Sequence, residues 1–142
     1  MPDYLPFDPH PRAPVPLPPP LACDSQFHVF GPRDRYPVRA GAAYEMPTAT
    51  WEVAQRLHAT LGIARGVIVQ ATTYGADHAV VLDALAALNA GGPRRYMGCA
   101  NAAVLLERDD AYLQTLHDAG VRGARFTRGG LGIQFTADQM DR

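Results

Sequence analysis

From residue 21 onward, short apolar runs alternate with stretches whose apolar residues recur every three or four positions. Leu21 to Phe30 is an apolar run with polar residues late in it and reads as a first strand. A helix follows over about 48–61, with Thr48 or Thr50 as N-cap and Trp51, Ala54, Leu57 and Leu61 on one stripe, and Gly62 supplies its stop. Gly66-Val67-Ile68-Val69-Gln70 has the β-branched density of a buried parallel strand. Asp77 can cap a second helix whose apolar face is Val80, Val81, Ala84, Leu85 and Leu88, ended by Gly91-Gly92-Pro93. Tyr96 to Ala100 reads as a third strand. Asp109 or Asp110 opens a third helix running through Leu113 and Leu116 to Gly120, and Val121 to Phe126 forms a fourth strand. Thr136-Ala137-Asp138-Gln139 matches a capping box, yet the sequence ends at Arg142, within about two helical turns. Four βα units whose last helix has only begun read as a truncated fold.

The arm before this pattern differs in kind. Nine of the 13 prolines fall within residues 1–20, and each fixes φ and removes a backbone donor. The organisation expected is therefore a Pro-rich arm over 1–20 and a partial α/β barrel over 21–142. At 142 residues there is room for one domain with a real core and not for two.

Charge removes some possibilities. A net charge of −1 gives no electrostatic basis for binding nucleic acid or an anionic membrane. All 13 basic residues are arginine, which excludes a Schiff-base lysine and a P-loop lysine. Cys23 and Cys99 have no metal-ligand spacing and sit in apolar runs, as buried, reduced thiols of a cytoplasmic protein would. No signal peptide and no apolar run of membrane-spanning length is present.

In a parallel β/α architecture, chemistry gathers at the C-terminal ends of the strands. A period of two puts Asp24, Gln26 and His28 on one face of the first strand, opposite Cys23, Ser25 and Phe27. Polar groups pressed against helices would go unsatisfied, so this set is expected to face the barrel. Ile68, Gln70 and Thr72 form the matching row on the second strand. On the fourth, Ala124 and Phe126 suit packing against helices, leaving Arg125 to enter the mouth. Thr72 and Tyr74 follow the second strand, while Tyr36 and Tyr44 lie in the long first loop. His58, His78 and His117, on or at the start of helices, are expected at the surface or an interface.

Asp24-Ser25-Gln26-Phe27-His28 resembles the first-strand Asp-x-His-x-His segment of the amidohydrolase superfamily. The continuation Arg33-Asp34-Arg35-Tyr36-Pro37, the segment Leu61 to Gln70, the Tyr74-Gly75 loop and Ala119 to Phe126 resemble the branch containing 2-pyrone-4,6-dicarboxylate lactonase and sugar lactonases. The likeness runs from about residue 21 to 142. It implies the N-terminal half, about four βα units, of a TIM-type (β/α)8 barrel, whose full members are roughly twice as long.

The resemblance also implies chemistry. Where the superfamily's metal-binding pattern has His, this chain has Gln26, whose neutral amide is a poorer ligand than imidazole. In this branch the first-strand residues are thought to polarise a lactone carbonyl without a metal, while an Asp from the last strand activates water. Gln26 and His28 then take the catalytic positions. Arg125 and Arg128 resemble the arginines that hold substrate carboxylates, a task suited to the bidentate guanidinium. The expected activity is metal-independent hydrolysis of a carboxylated lactone, with no cofactor. The general base would lie beyond residue 142, and the 142-residue chain alone would be inactive. Two alternatives stand beside it. One is a metal-dependent hydrolase or decarboxylase using a divalent ion such as zinc, with His28 among its ligands. The other is a non-catalytic half-barrel that completes its fold as a homo-oligomer, since open strand edges demand pairing.

Overall fold

The computed structural model describes residues 8–44, 46–127 and 135–140. Its strands are β1 (Cys23–Phe27), β2 (Arg65–Val69), β3 (Tyr96–Asn101) and β4 (Val121–Arg125). The helices are α1 (Trp51–Leu61), α2 (Ala79–Leu88), α3 (Val104–Glu107), α4 (Asp110–Ala119) and α5 (Ala137–Met140), with a 3-10 turn at Thr72–Tyr74. Among the described residues the strands form one parallel sheet in the order β1-β2-β3-β4. This is the succession of βα units that the periodicity predicts, with the short α3 as an unforeseen addition after β3. Residues 8–20 adopt neither helix nor strand, and Leu17 and Pro18 lie over Gly62 at the end of α1.

Local chemistry sets the helix ends. Gly62 and Gly120 close α1 and α4 in the left-handed conformation, at φ of 74° and 103°. Asp109 caps α4 by accepting the N–H of Tyr112, and Asp77 accepts the N–H of Ala79 at the start of α2. Ile68, Val80, Val81, Ala84, Leu85, Leu116 and Val121 form the core between sheet and helices. The stripe of α1 differs from expectation: Leu57 is exposed and His58 takes its place in the core.

Two irregularities change which side chains face which way. Asp24 pairs with Gly66 and Phe27 with Ile68, so β1 carries one residue more than β2 across that interval. A Cβ on Gly66 would meet both Phe27 and Tyr96, which places Asp24, Phe27, Ile68 and Tyr96 on the helix side. The expected row Asp24-Gln26-His28 is therefore broken, and Asp24 turns toward the helices. Ile68 and Gln70 likewise belong to the helix side, both fully buried, rather than to the barrel interior. The second bulge falls between Gly98 and Cys99, opposite β4. Val121 packs against Gly98 with Leu85 on the helix side, whereas Gly123 and Arg125 pair with Cys99 and Asn101 on the inner side.

Candidate active site

The C-terminal ends of β1 and β2 are joined through His28, whose Nδ1 lies 2.7 Å from the carbonyl oxygen of Val69. A carbonyl only accepts, so Nδ1 carries the proton and the neutral ring presents a lone pair at Nε2. Gln26, two residues back on the bulged strand, is exposed, and its backbone N–H donates to Asp24 Oδ1. A neutral His28 in this tautomer accepts a proton at Nε2 and becomes a donor there only as the imidazolium. Gln26 carries an amide donor in any state.

The turn after β2 is held from within. Gln70 Nε2 donates to the carbonyls of Gly75 (3.3 Å) and Asp77 (2.5 Å). This explains why a glutamine expected in the barrel sits instead under the loop: it binds the backbone of the turn. The Thr72 hydroxyl lies 3.1 Å from the Tyr44 hydroxyl, and the Thr72 carbonyl accepts Arg39 Nε. Tyr74 is buried against Phe30, and burial raises its phenol above the usual range. Its hydroxyl is thus not displayed openly, whereas Thr72 is half-buried.

Arg125 ends β4 on the inner side, opposite Asn101. Burial pushes the Cys99 thiol up, and the nearby Arg125 charge works against that shift. From β1 to β4 is three strand steps, roughly 14 Å along the sheet, so His28 and Arg125 stand at opposite edges of the mouth without touching. Arg128 lies outside the described residues. A cleft of about 340 Å³ at the mouth is lined by Arg39, Tyr74, Asp77, Glu107 and Arg108. The larger one, about 620 Å³, runs along β1, α1 and the proline arm, and of the expected site residues it includes only His28.

The burial expected from sequence is corrected at four residues. Cys23 is exposed and Cys99 only half-buried. His58 and His78 are not at the surface but almost fully enclosed. His58 bridges Asp24 and Tyr96, and His78 bridges Ala76 and Asn101. Their partners come from distant parts of the chain, so neither role shows in local periodicity. One signal was available: His58 is seven residues after Trp51 and four after Ala54, on the buried stripe.

Among the described residues no three His, Cys, Asp or Glu side chains gather as a metal centre requires. These residues alone do not fit a bound metal. No helix among them is long and apolar enough to cross a membrane.

Comparison with known proteins agrees with the fold and motif. The chain is 40% identical over 105 residues to a 2-pyrone-4,6-dicarboxylate hydrolase of Comamonas testosteroni, covering 74% of this chain and 32% of that protein. It is 42% identical over 67 residues to a 4-sulfomuconolactone hydrolase of Hydrogenophaga intermedia, covering 47% of this chain and 22% of that one. A crystal structure of a probable 2-pyrone-4,6-dicarboxylic acid hydrolase from Acinetobacter baumannii, with citric acid bound, superposes with a TM-score of 0.71 at 23% identity. That superposition covers 85% of this chain and 43% of the other, as one half of a TIM-type barrel would. The chain thus spans less than half the length of the relatives it matches. An amidohydrolase family profile matches residues 19–138, and the chain belongs to the amidohydrolase family.

Proposed function

We propose that this chain supplies the carbonyl-binding and carboxylate-binding half of an active site that hydrolyses a carboxylated lactone without a metal. The observation that carries the reading is the pairing of His28 Nδ1 with Val69 O at one edge of the mouth, with Arg125 inward-facing at the other. Gln26 donates its amide N–H to the lactone carbonyl, and His28 joins it when protonated. Donors aimed at a developing oxyanion usually lower the barrier more than any other single contribution. Arg125, with Arg128, holds the substrate carboxylate by charge-assisted hydrogen bonds. The relatives' activities on 2-pyrone-4,6-dicarboxylate and 4-sulfomuconolactone support an anionic lactone as the substrate class. The water-activating base comes from the remainder of the barrel, and the chain alone gives no turnover.

Titration of 15N-labelled, chelator-treated protein with 2-pyrone-4,6-dicarboxylate tests the reading. Side-chain resonances of His28 and Arg125 are expected to shift together and saturably. No response at either overturns it, and a response that requires added zinc overturns the metal-free part. Hydrolysis by the chain alone would overturn the need for the rest of the barrel.

A further inference from the structure

Asp24, His58 and Tyr96 form a hydrogen-bonded group that the proposed reaction does not use, with His58 and Tyr96 buried and Asp24 half-buried. Asp24 Oδ2 lies 3.1 Å from His58 Nε2, and His58 Nδ1 lies 3.1 Å from the Tyr96 hydroxyl. The His58 ring stacks on Tyr96 at 5.9 Å with planes 8° apart, and it meets Phe27 edge-to-face at 4.9 Å. A carboxylate accepts only, so Nε2 donates to Asp24, and in the neutral ring Nδ1 then accepts the Tyr96 proton. The direction of the whole chain of bonds then follows from Asp24.

The other oxygen of Asp24 acts on its own strand. Oδ1 accepts the backbone N–H of Gln26 at 3.1 Å, within the interval where β1 holds its extra residue. A bulge re-aims the side chains that follow it. Here it puts Asp24 and Phe27 on the helix side together, and His28, next along, bonds the end of β2. In an unbulged strand Asp24 and His28 would share a face.

We infer that Asp24 is a positioning residue. Anchored by His58 and Tyr96, its carboxylate holds the bulge that sets the direction of Gln26 and His28. The inference rests on the proposed function only for naming Gln26 and His28 as the reacting groups; the bulge and its anchor stand independently of it.

Nuclear magnetic resonance of the protein and its Asp24→Asn and Asp24→Ala variants tests this. Asparagine keeps an oxygen for the Gln26 N–H but presents a donor to His58. The His58 tautomer is therefore expected to invert in Asp24→Asn, seen as an exchange of its two ring-nitrogen shifts. Gln26 amide exchange rises about threefold to tenfold, because a neutral oxygen is the weaker acceptor. In Asp24→Ala, Gln26 exchange rises more than tenfold and the His28 ring-nitrogen shifts move toward a tautomer mixture, while the amides pairing β2 with β3 keep their rates. Should the alanine variant not fold, the asparagine variant decides. An unchanged His58 tautomer, or Gln26 exchange within twofold of the parent in either folded variant, overturns the inference. None of these readouts involves a lactone, so failure here is distinct from failure of the proposed reaction.

Discussion

His78 accepts the backbone N–H of Asn101 at Nε2, 3.0 Å away, while its Nδ1 lies 3.1 Å from the carbonyl oxygen of Ala76. The ring thereby fastens the turn after β2 to the end of β3, its neighbour in the sheet. Asn101 passes the restraint on, since its Oδ1 accepts the N–H of Ala103.

This arrangement requires a neutral ring. Burial pushes His78 down to about 4 from 6.5. A histidine whose pKa falls on folding leaves the unfolded chain binding more protons below pH 6.5. Stability is thus full above that value and declines as pH falls toward 4, by up to about 3 kcal/mol from this group. Urea denaturation at a series of pH values checks it: His78→Gln should lower stability at pH 7 yet flatten the slope between pH 6.5 and 4. An unchanged slope would refute the assignment.

Asn89 clamps α2 to β3. Its Oδ1 accepts the N–H groups of Arg95 and Tyr96, and its Nδ2 donates to the Tyr96 carbonyl. Asn89→Ala is expected to cost about 1–3 kcal/mol through unsatisfied backbone groups. Asn89→Asp keeps both acceptor bonds but sets a carboxylate against a carbonyl, and it should fall between the two in thermal unfolding.

Gly31 lies directly beneath the Tyr36 ring, where an added Cβ would fall 2.0 Å from Cδ2. Tyr36 has little room to retreat, because its hydroxyl donates to Asp83 at 2.7 Å in a site that also receives Arg35. Burial and the Asp83 carboxylate push the phenol up to about 12, so it keeps its proton throughout the working range. Gly31→Ala should destabilise by about 1–3 kcal/mol through overpacking. Pairing it with Tyr36→Ala should recover part of that loss, and strict additivity in the double variant would count against the clash.

Arg125→Ala should weaken binding of a dicarboxylate by roughly tenfold to a hundredfold, as expected for one lost charge-assisted contact. Arg125→Lys should recover little, since an ammonium cannot reproduce the bidentate fork. Calorimetric titration distinguishes these outcomes, and full recovery by lysine would reduce Arg125 to a bulk charge.

The sequence carried the order of elements well. β2 and α2 were legible because Val67-Ile68-Val69 and the Val80, Val81, Ala84, Leu85 stripe satisfy one period each without conflict. The faces were less legible. Strict alternation in β1 misplaced Asp24, because one residue of bulge inverts every position before it relative to those after. His58 and His78 were misread for a different reason: a polar residue on a buried stripe is tolerated only with partners, and those partners are Asp24, Tyr96 and Asn101 from other elements. The motif at β1 was legible as a family trait, whereas its bent backbone was not.

The strand order β1-β2-β3-β4 has a consequence for how the chain is made. Each strand pairs with the one completed just before it, so every crossover closes a loop of modest length and the topology has low contact order for a parallel sheet. Among the described strands, none must insert between two already joined. The sheet can therefore assemble in the direction of synthesis, with β2 templated on β1 while later residues are still being added.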